Sequence, residues 1–409
     1  MSPMRRTSVL WFLVVLASLG LIAAACGSSD TTAESVAATT TTTTTPPTTA
    51  PTTSEPPPTT TAVPTTSAAP FNTRFDGFGS YSVGRQVVEV VDSARDGRTL
   101  PVQVWYPAEE SGEPFTEYVF LPPMQFFSDF ALDSPAVAAS PTEAGFPTVF
   151  YSHGNNGWGW VHSTLMERLA SHGFVVVAPD HVGNTLVDSV LGTSDEQEVV
   201  AQNRLDDVNF VLAALETDPA FSKFADSADE TRIGFVSHSL GGWTGLTTLG
   251  QQGADSIIDA YVGLAPFVEV IDDETFAAIE RPVLMISGSV DETTPAVEVK
   301  RPFDIISSRP LIWADVIGGG HQSFADACFI RDQLGLIAGV PDLFLELADG
   351  YAESGCGEGI VAVDVAQPAM NHLATAFLVS NLGGDVGNAL DPAYIETEFP
   401  GVFTIQVGD

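Results

Sequence analysis

Basic residues are what this chain has least of. Fifteen lysines and arginines stand against 52 aspartates and glutamates in 409 residues, for a formal charge of -37. Nucleic acids and anionic membrane surfaces are drawn to clustered positive charge, so neither fits as a partner. The excess acid reads as a solubility property of an exported protein. Cysteine is almost missing as well: Cys26, Cys328 and Cys356 are the three. They form no metal-ligand cluster with histidine or carboxylate, and there is no phosphate-cradling glycine loop and no dinucleotide fingerprint. A chemistry without cofactor or metal is therefore expected. Long apolar runs are also lacking; the stretch from Leu10 to Ala25 is too short and too poorly flanked for a membrane span.

That stretch has another use. Arg5 and Arg6 precede it, and it ends in Ala23-Ala24-Ala25-Cys26-Gly27. The ending resembles a bacterial lipoprotein box, which implies a signal peptide at 1–25 and a lipid on Cys26 as the first mature residue. Ala23 stands where leucine is commoner, so ordinary cleavage after an Ala-x-Ala site is the alternative. Residues 26–70 are dominated by threonine and proline, with an unbroken threonine run from Thr39 to Thr45. Such a composition buries too little apolar surface to offset its ordering entropy and reads as a disordered tether. The expected protein is exported, either held at the cell surface or secreted. It is expected to be a monomer whose only membrane association is through lipidated Cys26.

From residue 71 to 409 the pattern becomes that of one folded domain. Val87–Val91 and Leu100–Trp105 read as strands joined by a turn containing Asp96-Gly97. Residues 107–145 show no clear periodicity and are expected to be a loop over the site or an irregular surface connection. Apolar strands then alternate with helical spacing: Thr148–Tyr151, a helix carrying Trp158, Val161, Leu165 and Leu169, Phe174–Ala178, and a helix carrying Leu205, Val208, Leu212 and Leu215. Strands follow at Ala260–Leu264, Val283–Ser287 and Leu311–Val316, with a last helix near 363–380. Continuous β-branched runs mark strands buried on both faces. The fold class is thus α/β, a mostly parallel central sheet covered by helices on both faces.

The chemistry gathers on the segment from Thr231 to Trp243. Ile233, Phe235 and Val236 make a strand, small residues turn the chain, and Leu240 begins a helix, which puts Ser239 at the apex of a nucleophile elbow. Ser237 stands where glycine is usual. A serine hydroxyl needs a base held by a carboxylate. Asp291 lies just after a buried strand, ahead of its rivals Glu292 and Asp315; His321 follows Gly318-Gly319-Gly320, a glycine loop flexible enough to aim an imidazole. The order Ser239, Asp291, His321, each after a strand, is that of a hydrolase triad. Backbone N–H groups of Leu240 and Asn155 are the expected oxyanion donors. Trp158, Trp160 and Trp243 are candidates for substrate contact. If Cys26 is lipidated, Cys328 and Cys356 remain as a disulfide pair just after His321, two free buried thiols being the alternative.

These pieces carry a resemblance. PVQVWYPA at Pro101, FYSHGNNG at Phe150, LASHGFVVVAPDHVGNT at Leu169, SHSLGGW at Ser237, LMISGSVDETTP at Leu284 and GGGHQSFADACF at Gly318 are similar to segments of class II platelet-activating-factor acetylhydrolases and related bacterial predicted dienelactone hydrolases. Bacterial polyester hydrolases and chlorophyllases are more distant. The resemblance implies an α/β-hydrolase fold and carboxylic ester hydrolysis through an acyl-enzyme, with short-acyl or phospholipid esters as substrates. It implies the same triad and oxyanion donors. A polyester-directed, cutinase-like hydrolase and a surface binding protein that kept the fold without the reaction are the alternatives. Because the tether carries no chemistry, chains beginning at residue 26 and at residue 71 should hydrolyse a soluble ester at equal rates. A severalfold loss in the shorter chain would show that the tether takes part.

Overall fold

The computed structural model describes residues 74–121 and 124–408. The expected signal peptide, Cys26 and the tether lie outside these residues. In chain order the first elements are β1 (Ser82–Asp92), β2 (Arg98–Ala108), β3 (Phe115–Leu121), β4 (Met124–Asp133), β5 (Phe146–Ser152), α1 (Ser163–Ser171), β6 (Val175–Pro179), α2 (Leu186–Leu191) and α3 (Gln197–Thr217). They are followed by β7 (Ala228–His238), α4 (Leu240–Gln252), β8 (Ala260–Leu264), α5 (Asp273–Ala277), β9 (Val283–Gly288), α6 (Ala296–Lys300) and β10 (Leu311–Val316). The chain closes with α7 (Ala327–Leu336), α8 (Asp342–Cys356), α9 (Val363–Asn381), α10 (Pro392–Glu398) and β11 (Phe403–Val407).

The strands form one sheet in the order β11-β10-β9-β8-β7-β5-β6-β2-β1-β4-β3. From β6 through β10 all pairings are parallel, and β2 and β11 close this block with antiparallel pairings. Successive side chains of a strand point to opposite faces, and here each face is covered. Val176 and Ala178 enter the core shared with α1 and α9, whereas Val175 and Val177 enter the core shared with α3 and α4. That is why these strands read as unbroken apolar runs. Order reverses between β5 and β7: the chain passes from β5 outward to β6, then returns to β7 and proceeds the other way. In open parallel sheets the crevice at such a switch, beyond the carboxyl ends of the strands, is where ligands bind.

Residues 107–145 are not a loop over the site. Residues 115–121 and 124–133 form β3 and β4, added at the sheet edge through a parallel pairing of β4 with β1, and 134–145 is the irregular connection that was the alternative. The strand period is visible only after the fact. In β4, Met124, Phe126 and Ser128 face inward while Gln125, Phe127 and Asp129 face out. An inward serine and an outward phenylalanine mask the alternation. The helix expected from Trp158 onward begins five residues later, at Ser163, because residues 158–162 are wound in turns. Helices α7, α8 and α10 and strand β11 add a C-terminal layer that periodicity did not anticipate. Among the described residues no helix is long and apolar enough to cross a membrane. Cys328 and Cys356 form a disulfide that ties the start of α7 to the end of α8.

The inward Ser128 has a partner. Its hydroxyl and that of Tyr118 donate to Glu167 Oε1 at 2.7 and 2.8 Å, so one carboxyl on α1 holds the β3–β4 hairpin to the body. Burial pushes this carboxyl up to about 7 against those hydrogen bonds. A raised acid binds its proton more tightly folded than unfolded, so its contribution is full below the unfolded pKa and is lost as pH rises toward 7. Glu167→Gln keeps the acceptor oxygen and removes the ionisation. The variant should gain stability over the parent as pH goes from 5 to 8, by on the order of 1–3 kcal/mol in denaturant melts. A pH-independent difference would contradict this assignment.

Candidate active site

Ser239 sits at the end of β7 with φ 53° and ψ -121°, a left-handed conformation that a residue with a side chain rarely adopts. The neighbouring glycines make it possible. A Cβ on Gly241 would lie 2.0 Å from the Ser152 carbonyl oxygen, and one on Gly242 would lie 2.3 Å from Pro266 Cβ. The turn is therefore wedged between β5 and the segment after β8. The Ser239 carbonyl accepts from Gly242 and Phe267 N–H groups, both at 2.8 Å. Ser237, in the position usually held by glycine, turns its hydroxyl to Tyr261 Oη at 2.7 Å and is fully buried.

His321 Nε2 lies 2.9 Å from Ser239 Oγ, and its Nδ1 lies 2.8 Å from Asp291 Oδ2. The three side chains, 52 and 30 residues apart in sequence, thus form one hydrogen-bonded line (291 − 239 and 321 − 291). Burial works to raise the Asp291 carboxyl, yet the His321 contact and hydrogen bonds from Thr294 hold it below its ordinary value. Asp291 Oδ1 accepts from the Thr293 and Thr294 N–H groups at 2.7 and 2.9 Å. Thr294 Oγ1 stands 2.7 Å from Asp291 Oδ2 and 3.2 Å from His321 Nδ1. This hydroxyl is a support that the sequence reading passed over; its position three residues after Asp291 is the only signal for it.

The histidine loop is close-packed, which corrects the expectation of a flexible glycine loop. Gly318 has φ 76°, and a Cβ on Gly320 would meet the Ser354 carbonyl oxygen at 2.3 Å. His238 Nε2 is 3.0 Å from the His321 carbonyl, to which it donates, and the two rings pack in a tilted arrangement with centroids 4.8 Å apart. Beyond the histidine, Asp326 accepts from Ser163 Oγ and Thr164 N at 2.8 and 2.9 Å, fastening the loop to the first turn of α1.

Asn155, Leu240 and Ser239 all line one cleft of about 780 Å³ at the switch between β5 and β7. Apolar side chains of Leu240, Trp243, Phe267 and Val270 share it with polar Asn156, Asn184, Asp195 and Thr293. No described residue of 107–145 lines it. Of the three tryptophans, Trp243 lies here. Trp158 and Trp160 do not: they are 7% and 4% exposed and pack against Phe120, Phe126 and Tyr118, where they seat the β3–β4 hairpin. Both are core residues, because the turns at 158–162 direct them to the hairpin and away from the cleft.

The sequence reading also missed Arg204. It lies on the apolar face of α3, in helical register with Val208, Val211 and Leu215, and is fully buried. Burial lowers its guanidinium to about 9, which leaves it charged at neutral pH. A lone arginine on an otherwise apolar stripe is the signal that could have found it. The neighbouring Asp207 binds Arg95, Arg98 and His181. Among the described residues there is no cluster of histidine, cysteine and carboxylate able to hold a metal.

A PET hydrolase-like family model matches residues 157–327. The platelet-activating factor acetylhydrolase of Canis lupus familiaris is 23% identical over 366 residues, 75% of this chain and 77% of that protein. That of Cavia porcellus is 22% identical over 327 residues, 70% of either chain. Cutinase 2 of Thermobifida cellulosilytica is 28% identical over a shorter 171 residues, 39% of this chain and 58% of that protein. Among solved structures, the ferulic acid esterase from Streptomyces cinnamoneus superposes with a TM-score of 0.58 at 23% identity, covering 80% of this chain and 97% of that one. The sheet, the elbow and these likenesses define an α/β-hydrolase. Within that class the chain is a carboxylesterase, similar to the acetylhydrolases and, over a shorter stretch, to the cutinases.

The geometry separates Asp291 from its rivals. Asp315 lies within β10 and accepts from Ser287 Oγ at 2.8 Å. Asp291→Asn should lower kcat on the order of 10⁴-fold, as expected when an imidazole loses its orienting carboxylate, whereas Asp315→Asn should leave kcat within a fewfold of the parent. Steady-state hydrolysis of a p-nitrophenyl ester checks both, and the reverse ranking would assign the role to Asp315.

Proposed function

We propose that this protein is an exported serine esterase that works through an acyl-enzyme, with Ser239 as nucleophile, His321 as general base and acid, and Asp291 as its orienting carboxylate. The observation that carries the reading is the unbroken line from Ser239 Oγ through His321 to Asp291 Oδ2, at 2.9 and 2.8 Å. His321 takes the Ser239 proton as Oγ attacks the ester carbonyl, and the carbonyl oxygen becomes an oxyanion facing the N–H groups of Asn155 and Leu240. His321⁺ then protonates the leaving alcohol. In the second half-reaction the same imidazole activates a water that releases the acid.

Short-acyl esters, including acylated phospholipids, are the proposed substrates. The length of the match to the two acetylhydrolases supports them. A second reading, hydrolysis of polyesters, is favoured by the PET hydrolase-like match and by apolar Trp243 and Phe267 in the cleft. The same proposal places the protein outside the cytoplasm, tethered through Cys26 and the segment 26–70, and acting as a monomer without nucleic-acid partner.

The test is hydrolysis of p-nitrophenyl esters of increasing acyl length by the chain from residue 26, with Ser239→Ala as blank. Turnover should fall on the order of a million-fold in the variant. A steep fall in rate beyond short acyl chains would select the first substrate class, and a rate rising with chain length, with release of soluble products from a polyester film, the second. Equal rates in parent and variant would remove Ser239 from the mechanism and restore the reading as a binding protein.

A further inference from the structure

The loop after β5 carries Asn155, and its backbone direction is set from behind by one side chain. Arg204 Nη1 donates to the His153 carbonyl at 2.8 Å, Nη2 to the Gly154 carbonyl at 2.9 Å, and Nε to Asn184 Oδ1 at 2.8 Å. Asn184 passes the contact on, its Nδ2 donating to Asn155 Oδ1 at 2.8 Å. The Gly154 oxygen collects two more donors, His153 Nδ1 at 2.8 Å and Gly157 N at 3.1 Å. The tautomer of His153 is fixed by its other nitrogen: Nε2 accepts from the His181 N–H at 3.0 Å, so the proton is on Nδ1.

The Gly154 C=O and the Asn155 N–H belong to a single planar trans amide, so they point in opposite directions. Whatever fixes the carbonyl fixes the N–H. The loop also abuts the nucleophile, since a Cβ on Gly154 would lie 3.0 Å from Ser239 Cβ. Every hydrogen-bond acceptor of Arg204 is neutral: two carbonyls, the Asn184 amide and, at 3.4 Å, Ser152 Oγ. A fully buried cation without a bonded carboxylate is costly. It gains when negative charge develops one amide away.

We propose that Arg204 is a positioning residue for the oxyanion hole: by holding the His153 and Gly154 carbonyls, its guanidinium turns the Asn155 N–H toward Ser239 and polarises it as a donor. This rests on the ester-hydrolysis reading above. The support acts on a charge present only in the transition state, so it is expressed in kcat and leaves KM nearly unchanged. The cation remains in place through both half-reactions and no proton moves to or from it.

The experiment compares Arg204→Gln, Arg204→Lys and, as a control for stability alone, Arg98→Gln, which loosens the ion pair with Asp207 without touching the loop. For each, kcat and KM on p-nitrophenyl acetate, Tm and inhibition by a trifluoromethyl ketone, which forms a charged tetrahedral adduct, are measured. Arg204→Gln should lose on the order of 10²-fold in kcat, with KM within about threefold and the ketone Ki raised by the same factor as kcat falls. Arg204→Lys, which keeps the charge but not the fork, should recover part of both losses. Arg98→Gln should lower Tm and keep kcat. Retention of kcat in Arg204→Gln, or a fall in kcat with unchanged ketone affinity, would overturn the proposal. Should Arg204→Gln fail to fold, Arg204→Lys alone decides it by the same pairing of kcat and Ki. Undiminished turnover in Ser239→Ala would instead overturn the ester-hydrolysis reading, an outcome distinct from any result at Arg204.

Discussion

The site depends on one strained peptide segment. Ser239 holds φ 53° only because β5 and the chain after β8 press on the elbow from both sides, with Gly241 and Gly242 thin enough to let them. Such strain costs on the order of 1–3 kcal/mol and persists where surrounding packing over-determines it. Here the packing is the central parallel block of the sheet. Its strand ends deliver three loops to one place: the Asn155 loop from β5, the Asp291 loop from β9 and the His321 loop from β10. Once the elbow is placed, the loops have little freedom left, since each is fastened to something rigid. Arg204 holds the first, the Thr293 and Thr294 amides hold the second, and Asp326 with α1 holds the third.

Much of this was legible in the order of residues. Strands buried on both faces announce themselves as apolar runs, and β8 and β10 begin and end where the runs at Ala260 and Leu311 do. Ser239, Asp291 and His321 were recognisable because each directly follows such a run, and the fold brings all three together. What stayed hidden has physical causes. The β3–β4 hairpin puts Ser128 inside against Glu167 and Phe127 outside at 61% exposure, so its alternation does not look like alternation. Trp158 and Trp160 lie close in sequence to the Asn155 loop but turn toward that hairpin. Arg204 matters through partners twenty or more residues away, about which spacing along the chain says nothing.

The likeness to relatives divides along the same lines. The PET hydrolase-like match runs from residue 157 to 327 and contains the elbow, the acid and the histidine. The match to the canine acetylhydrolase extends across about three quarters of the chain. One frame with several ester-hydrolysing relatives is what a superfold looks like, and function is then decided at the site. In this chain the hairpin held by Glu167 and the disulfide-tied helices α7 and α8 contribute no described side chain to the cleft.

Four of the seven histidines, His153, His162, His181 and His238, are buried around the elbow and its loops. Burial drives all four down, His181 to about 4 and His238 to about 3. Each takes up a proton readily only when unfolded, so the folded state loses ground as pH falls below the ordinary histidine range near 6.5. His153 lies on the loop that carries Asn155, and His238 bonds the His321 carbonyl. Acidification therefore works against the fold through side chains packed around the reaction centre, so the groups that build the site also set an acid limit on the folded state.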